Sequence, residues 1–312
     1  MVMAAGAGAA SSRVREEAWG GHRVHAPRAA LFPACANPAC GTGWLHLWRR
    51  RSAPVFEGGW CCSAECTRAR VESALRREMS ERVAPPQAHR HRIPLGLAML
   101  EQGWISTQQL RAALAAQRAA GGGRIGYWLR SQGVSEAWIA RALGLQWSCP
   151  VLPLGSYVSG ELSALVPRLF LDAFGVLPLR VAAEKILYLG FEDRLDPVLA
   201  LAVERMTGLR VECGLVEDSG FREAHARALE ARYPEVELVE AASEPVLARA
   251  FARSVERAMP VEAKLVRVHD CVWLRMWTRP RSGAAPTGEA VRDAIGSIRA
   301  SGSVEAERRG SR

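Results

Sequence analysis

Lysine is almost missing from this chain: of 41 basic residues only Lys185 and Lys264 are lysine. Long apolar runs are missing too. Arg168, Asp172, Arg180 and Lys185 interrupt the greasiest region, so no stretch reaches the ~18 residues of a membrane-spanning helix. The first ten residues are small and apolar with no positive charge ahead of them, a poor secretory signal. A cytoplasmic protein without membrane insertion is the expectation. The net charge of +9 would ordinarily suggest an anionic partner. Reliance on arginine, with abundant alanine and glycine, instead marks a composition bias, and Arg/Glu mixing along helices belongs to solvated faces. Nucleic acid is therefore the less favoured partner.

Catalytic signatures are absent as well. There is no G-x-x-x-x-G-K-[ST] phosphate cradle, no G-x-S-x-G elbow, no H-E-x-x-H and no Ser-His-Asp pattern. Four of the seven histidines (His22, His25, His89 and His91) fall in segments without helix or strand periodicity. Glu192 and Asp193 sit at a turn, where capping or a surface role is the ordinary explanation. The chain is expected not to be an enzyme.

What remains is ample for folding. At 312 residues, 49% of them apolar, the chain can hold about two domains. Residues 1–27 are Ala/Gly/Ser/Arg-rich and read as disordered. Residues 28–80 carry cysteines and tryptophans and end in a helical stretch, and 81–92, with Pro85 and Pro86, read as a linker. A helical segment spans 93–148 and an α/β segment 149–233. One amphipathic helix and two short strands, LVRV and CVWLRMW, fill 234–278, and 279–312 read as a disordered tail. The expected class is α+β: a duplicated helical subdomain and a small α/β sandwich, preceded by a treble-clef-like zinc module.

The helical segment repeats itself. Gly96 recurs as Gly126 and Gly103 as Gly133; after a one-residue deletion Ser106 recurs as Ser135, Leu110 as Ile139, Leu114 as Leu143 and Gln117 as Gln146. Ser106 with Gln109 forms a capping box that opens a helix, and Leu110, Ala113, Leu114 and Gln117 line one face of it. Gly103 and Gly133 stand where a helix ends in a left-handed residue. Beyond it, VLPLRVAA and ILYLGF flank Glu184-Lys185 as a hairpin, and Asp196-Pro197 open a helix that stops at Gly208.

These features resemble the N-terminal domain of type II secretion and type IV pilus assembly ATPases, the GspE/MshE N-terminal family. The second copy supplies Arg124, Ile125, Gly126, Leu129, Gly133, Val134, Leu143 and Gln146; the first supplies Leu95, Gly96, Met99, Leu100, Gly103, Trp104, Ile105, Leu110, Leu114 and Gln117. GVLPLR and TGLRVE extend the resemblance over residues 92–232. The resemblance implies that each copy grips half of a cyclic di-GMP molecule. Arg92, Leu95, Gly96 and Gln117 would hold one half, and Arg124, Ile125, Gly126 and Gln146 the other. An arginine can stack on guanine, a glycine lets backbone approach the ligand, and a glutamine amide can meet a base edge. Pro94 replaces the first motif arginine and Arg130 an apolar position. Two readings therefore stand side by side: a cyclic di-GMP site, or the same fold used for docking a protein of a secretion or pilus system. The motor itself is missing, which leaves a non-catalytic regulatory or adaptor protein.

Eight cysteines in a cytoplasmic chain read as thiols and metal ligands. Cys35, Cys40, Cys62 and Cys66 are the expected ligands of a structural zinc, with Cys61 competing, His46 a weaker candidate and buried free thiols the alternative. Trp44, Trp48 and Trp60 beside Arg49, Arg50 and Arg51 give the rival reading, a zinc-finger nucleic-acid-binding regulator. Cys149, Cys213 and Cys271 read as core cysteines.

Overall fold

The computed structural model describes residues 34–41, 54–80, 93–155, 160, 162–280 and 288–299. The expected disorder at 1–27, the linker 81–92, His46 and the Trp44–Arg51 run lie outside the described residues.

The duplicated segment forms four helices: α2 (Leu95–Glu101), α3 (Thr107–Ala119), α4 (Ile125–Ser131) and α5 (Glu136–Trp147). Each copy is a short helix, a glycine turn and a longer helix. Gly103 and Gly133 take φ of 71° and 78°, where a side chain would be strained. The capping box forms in the first copy, with Ser106 Oγ accepting from Gln109 N and Gln109 Oε1 accepting from Ser106 N. It has no counterpart at Ser135, whose side chain makes no cap bond, because Trp138 replaces the glutamine. Leu95, Met99, Leu110, Leu129 and Ala142 fill a core between the two copies.

The α/β part contains α6 (Arg168–Phe174), β3 (Val176–Ala182), β4 (Ile186–Phe191), α7 (Pro197–Thr207), β5 (Arg210–Leu215) and α8 (Asp218–Leu229). β3 and β4 form the expected antiparallel hairpin, turning at Ala183 and Glu184, both at positive φ. Asp196 caps α7 by accepting from Leu199 N at 2.9 Å, and Gly208 ends it at φ 75°. The α7 crossover makes β4 and β5 parallel, giving the order β3-β4-β5.

The C-terminal part departs from expectation. Beside α9 (Glu244–Ala258), β7 (Glu262–Val268) and β8 (Cys271–Trp277) stand two further strands, β6 (Val236–Ala241) and β9 (Val291–Ile298). They complete a four-stranded sheet of order β6-β9-β8-β7. β9 falls in the stretch expected to be unstructured, yet it lies between β6 and β8. Asp293 disguises it in the sequence, since a carboxylate is a poor interior strand residue unless paired. Here Arg275 Nη2 and Nε donate to Asp293 at 2.7 Å each and Trp273 Nε1 donates at 2.8 Å. A neutralised carboxylate can then be buried.

The described part of the cysteine segment packs onto the C-terminal sheet. It comprises a short hairpin, β1 (Val55–Phe56) and β2 (Gly59–Trp60), followed by α1 (Ala64–Ser80). Phe56, Val71, Ala74 and Leu75 share one core with Leu247, Phe251 and Val255 of α9 and with the four-stranded sheet. Apolar residues at helical spacing on α1 have a complementary face to bury against.

Candidate functional site

Two places in the fold bring chemistry-bearing residues together. The first is the cysteine cluster. The segment before Cys40 turns because Asn37 Oδ1 accepts from Ala39 N and Asn37 O from Cys40 N. Glu57 and Gly58 at positive φ close the β1–β2 hairpin, and Ala36 N donates to Trp60 O at 2.8 Å. That approach is so close that a Cβ on Gly59 would lie 2.3 Å from Ala36 Cβ. Cys62 just before α1 and Cys66 in its first turn then face the first pair. The four sulfurs of Cys35, Cys40, Cys62 and Cys66 lie within 4.8 Å of one another. Cys40 Sγ is 3.5 Å from Cys62 Sγ, which is 3.6 Å from Cys66 Sγ. Thiolates around a tetrahedral ion at ~2.3 Å stand about 3.8 Å apart, so the set fits such a group. Asn37 Nδ2 donates to Cys66 Sγ at 3.4 Å, the kind of outer contact that orients a ligand. Cys61 is outside the cluster; its thiol is buried and bonds the Thr67 side chain, and burial pushes it up. Burial also pushes the Cys35 thiol up to about 12.

The second is a cavity of about 480 Å³ between α4, α5 and the α/β part. Both copies reach it through their first residues. Pro94 and Leu95 come from one, Arg124, Ile125 and Gly126 from the other, and Gln146 lies on its wall. Apolar side chains including Ile139, Leu143 and Trp147 line it with Arg124, Arg130, Arg194 and Arg222. Arg124, Arg130 and Arg222 each meet carboxylates. Arg124 Nη1 meets Glu192 at 2.8 Å and its Nε meets Asp193 at 3.0 Å. Arg130 pairs with Glu136 at 2.6 Å and Asp218 at 3.1 Å, while Arg222 pairs with Glu192 and Asp218. Glu136 also accepts from the Ser219 hydroxyl and N–H, tying α5 to α8. Burial would raise Glu192, but a hydrogen bond from Asp218 and the guanidiniums of Arg124 and Arg222 outweigh it, bringing Glu192 down to about 2. Asp218, desolvated and bonded to Glu192, moves the other way.

The structure distributes the expected ligand residues unevenly. Leu95, Arg124, Ile125, Gly126 and Gln146 border the cavity. Arg92 lies outside the described residues. Gly96 does not border it: a Cβ there would lie 2.4 Å from Leu110 Cδ1, and at Gly126 one would lie 3.1 Å from Ile139 Cγ2. Because Leu110 and Ile139 are repeat equivalents, the glycines admit the long helix of each copy against its short helix. Gln117 is also away from the cavity. Its Nε2 donates to Gly123 O at 2.6 Å, and Gln146 Nε2 donates to Ile93 O at 2.8 Å. Each glutamine therefore holds the carbonyl just before the other copy's first motif residue, and the copies interlock reciprocally. Gly96 and Gln117 thus sit in the packing of the repeat and not on the cavity, whereas Gly126 and Gln146 take part in that packing and also border the cavity. Sequence reasoning gave Glu192 and Asp193 only a capping or surface role and passed over Asp218 and Arg222. Glu192 and Asp193 stand in the turn after β4 and Asp218 and Arg222 on α8, and neither setting says what the side chains face.

No family model and no curated protein matches the chain. Among solved structures, it is similar to one titled as MshE with cdg, at 26% identity and a TM-score of 0.35, over 44% of this chain and 99% of that one. It is also similar to the N-terminal domain of XpsE, at 20% identity and a TM-score of 0.32, over 43% of this chain and 92% of that one. At such TM-scores the likeness assigns no role to any residue. Among the described residues no helix is long and apolar enough to cross a membrane.

Proposed function

We propose that this chain is a non-catalytic cytoplasmic adaptor of a secretion or pilus system. In this reading the cavity at Arg124 takes a cyclic dinucleotide, cyclic di-GMP being the candidate, and Cys35, Cys40, Cys62 and Cys66 hold a structural zinc. The observation that carries the nucleotide half is Arg124 itself, more than half exposed at the point where the first residues of both copies meet an apolar cavity. Its guanidinium can donate to a phosphate or stack on a base. Charge in the cavity is close to balanced, so an anionic ligand has to exchange for Glu192 and Asp193 on Arg124.

That exchange gives the test. Each partly exposed pair contributes roughly 0.5–1 kcal/mol, so Glu192→Gln with Asp193→Asn should tighten cyclic di-GMP binding about tenfold. Arg124→Ala should abolish it. Calorimetry on the full chain reads both. No heat at high micromolar ligand, in wild type and in the carboxylate variant alike, removes the nucleotide reading. A zinc:protein ratio near one by elemental analysis checks the metal, whose four thiolate ligands would leave no open position for water.

The protein-partner half rests on Ile93 at 59%, Leu97 at 52% and Leu145 at 60% exposure, the first two around the start of α2 and the third on α5, which packs on it. A Leu97→Glu, Leu145→Glu chain that still copurifies with its partner would count against this surface. The rival, nucleic acid at the cysteine module, requires a mobility shift at low salt that fades steeply as salt rises.

A further inference from the structure

The cysteine segment and the C-terminal sheet come from opposite ends of the chain, yet they are built as one body. Val55 N donates to Pro260 O and Glu57 N to Ala263 O, both at 2.8 Å, which lays β1 along β7, the edge strand of the sheet. Phe56, between those two bonds, is fully buried in the same core as Ala263 and Leu265. α1 then covers α9, with Val71, Ala74 and Leu75 on the face shared with Phe251 and Val255. At the far end of α1 the carboxylate of Glu78, 1% exposed, accepts from Arg267 N at 3.1 Å and from Arg205 Nη2 at 2.6 Å. One helix thus carries two of the four clustered cysteines at or beside its start and a clamp onto β7 and α7 at its end.

The outer layer has little of its own to stand on. Its hairpin is two residues per strand, far below what is stable alone, and segments this short need a metal or a host surface. Among the described residues the ties of the first cysteine pair to the rest include the sulfur cluster, the Asn37–Cys66 bond and the Ala36–Trp60 bond. We infer that residues 34–41 and 54–80 are a closable outer layer of the C-terminal sheet, and that metal occupancy of Cys35, Cys40, Cys62 and Cys66 governs whether β1 and α1 stay closed over β7 and α9. This rests on the metal reading above. A bound metal supplies the cross-link between the Cys35–Cys40 turn and the start of α1. Without it, β1 loses its anchor, the β7 edge opens and the α9 face under α1 meets water. Binding at the cysteines is then coupled to the order of a sheet whose last strand is more than two hundred residues further along the chain.

Hydrogen exchange on the full chain, followed by mass spectrometry, tests this before and after chelation and after zinc is restored. Elemental analysis comes first, so that a chain isolated without zinc and unable to take it up removes the metal reading itself. Given bound zinc, chelation should speed exchange at least tenfold in β7 and α9 together with α1, leave β3–β5 unchanged, and be reversed by zinc. Faster exchange confined to residues 34–62 would overturn the inference while leaving the metal in place. So would no change anywhere. Because Cys62→Ser could unfold the module, Phe56→Ala is the second variant. It should retain zinc yet lose protection in β7, and full protection there would equally overturn the coupling.

Discussion

Arg275 offers a severe test of how the C-terminal sheet is held. Its guanidinium is 1% exposed and the side chain of Asp293 fully buried. Replacing it with methionine removes two donors to Asp293 and the Nη1–H that reaches Leu165 O at 2.8 Å, the bond that joins this sheet to the segment before α6. Trp273 Nε1 remains on Asp293 Oδ1, but Oδ2 loses its Arg275 donor. Stranding a buried charge in this way costs about 3–5 kcal/mol. The pair as a whole is a different matter, since charges taken out of water recover little more than their own desolvation. Arg275→Met with Asp293→Leu should therefore recover most of that loss, leaving about 1–3 kcal/mol for the orphaned Trp273 N–H and Leu165 carbonyl. Urea unfolding of the full chain followed by circular dichroism gives all three stabilities. A single-variant cost under about 1 kcal/mol, or a double variant as weak as the sum of both singles, refutes the argument.

The packing role of the repeat glycines predicts compensation. Gly96→Ala should destabilise by up to about 2 kcal/mol after the helix-propensity gain, and a Leu110→Ala background should relieve at least 1 kcal/mol of that; strictly additive losses in thermal unfolding would contradict it. Acid stability should follow Glu192. Its folded carboxyl sits near 2 against an ordinary 4.5, so its contribution is full above about 4.5 and is lost as pH falls toward 2. A Glu192→Gln chain should lack that part of the slope in a pH series of urea midpoints, and an unchanged slope would dismiss the network as a stability element.

Local pattern made much of this molecule legible. The capping box at Ser106, the left-handed glycines at 103 and 133, the Asp196 cap and the β3–β4 hairpin depend on residues within a few positions of one another, and all are present. The cysteine quartet was legible for a related reason: cysteine pairs at ligand spacing are informative, although only the fold shows that Cys62 joins the cluster while Cys61 is buried outside it. β9 was not, because a buried Asp293 is intelligible only once Arg275 faces it, and β6 was passed over with the rest of that sheet's outer half.

The sequence by itself determined the repeat, the elements of each copy and the chemical character of two candidate sites. Tertiary structure alone decided what the repeat residues are for. Gly96 and Gln117 turned from ligand contacts into packing and interlock, and Arg124 acquired Glu192 and Asp193 as partners. It also closed the cysteine layer onto a sheet from the other end of the chain. Periodicity reports which face of an element is buried, whereas the partner across that face comes from distant chain and leaves no mark in local spacing.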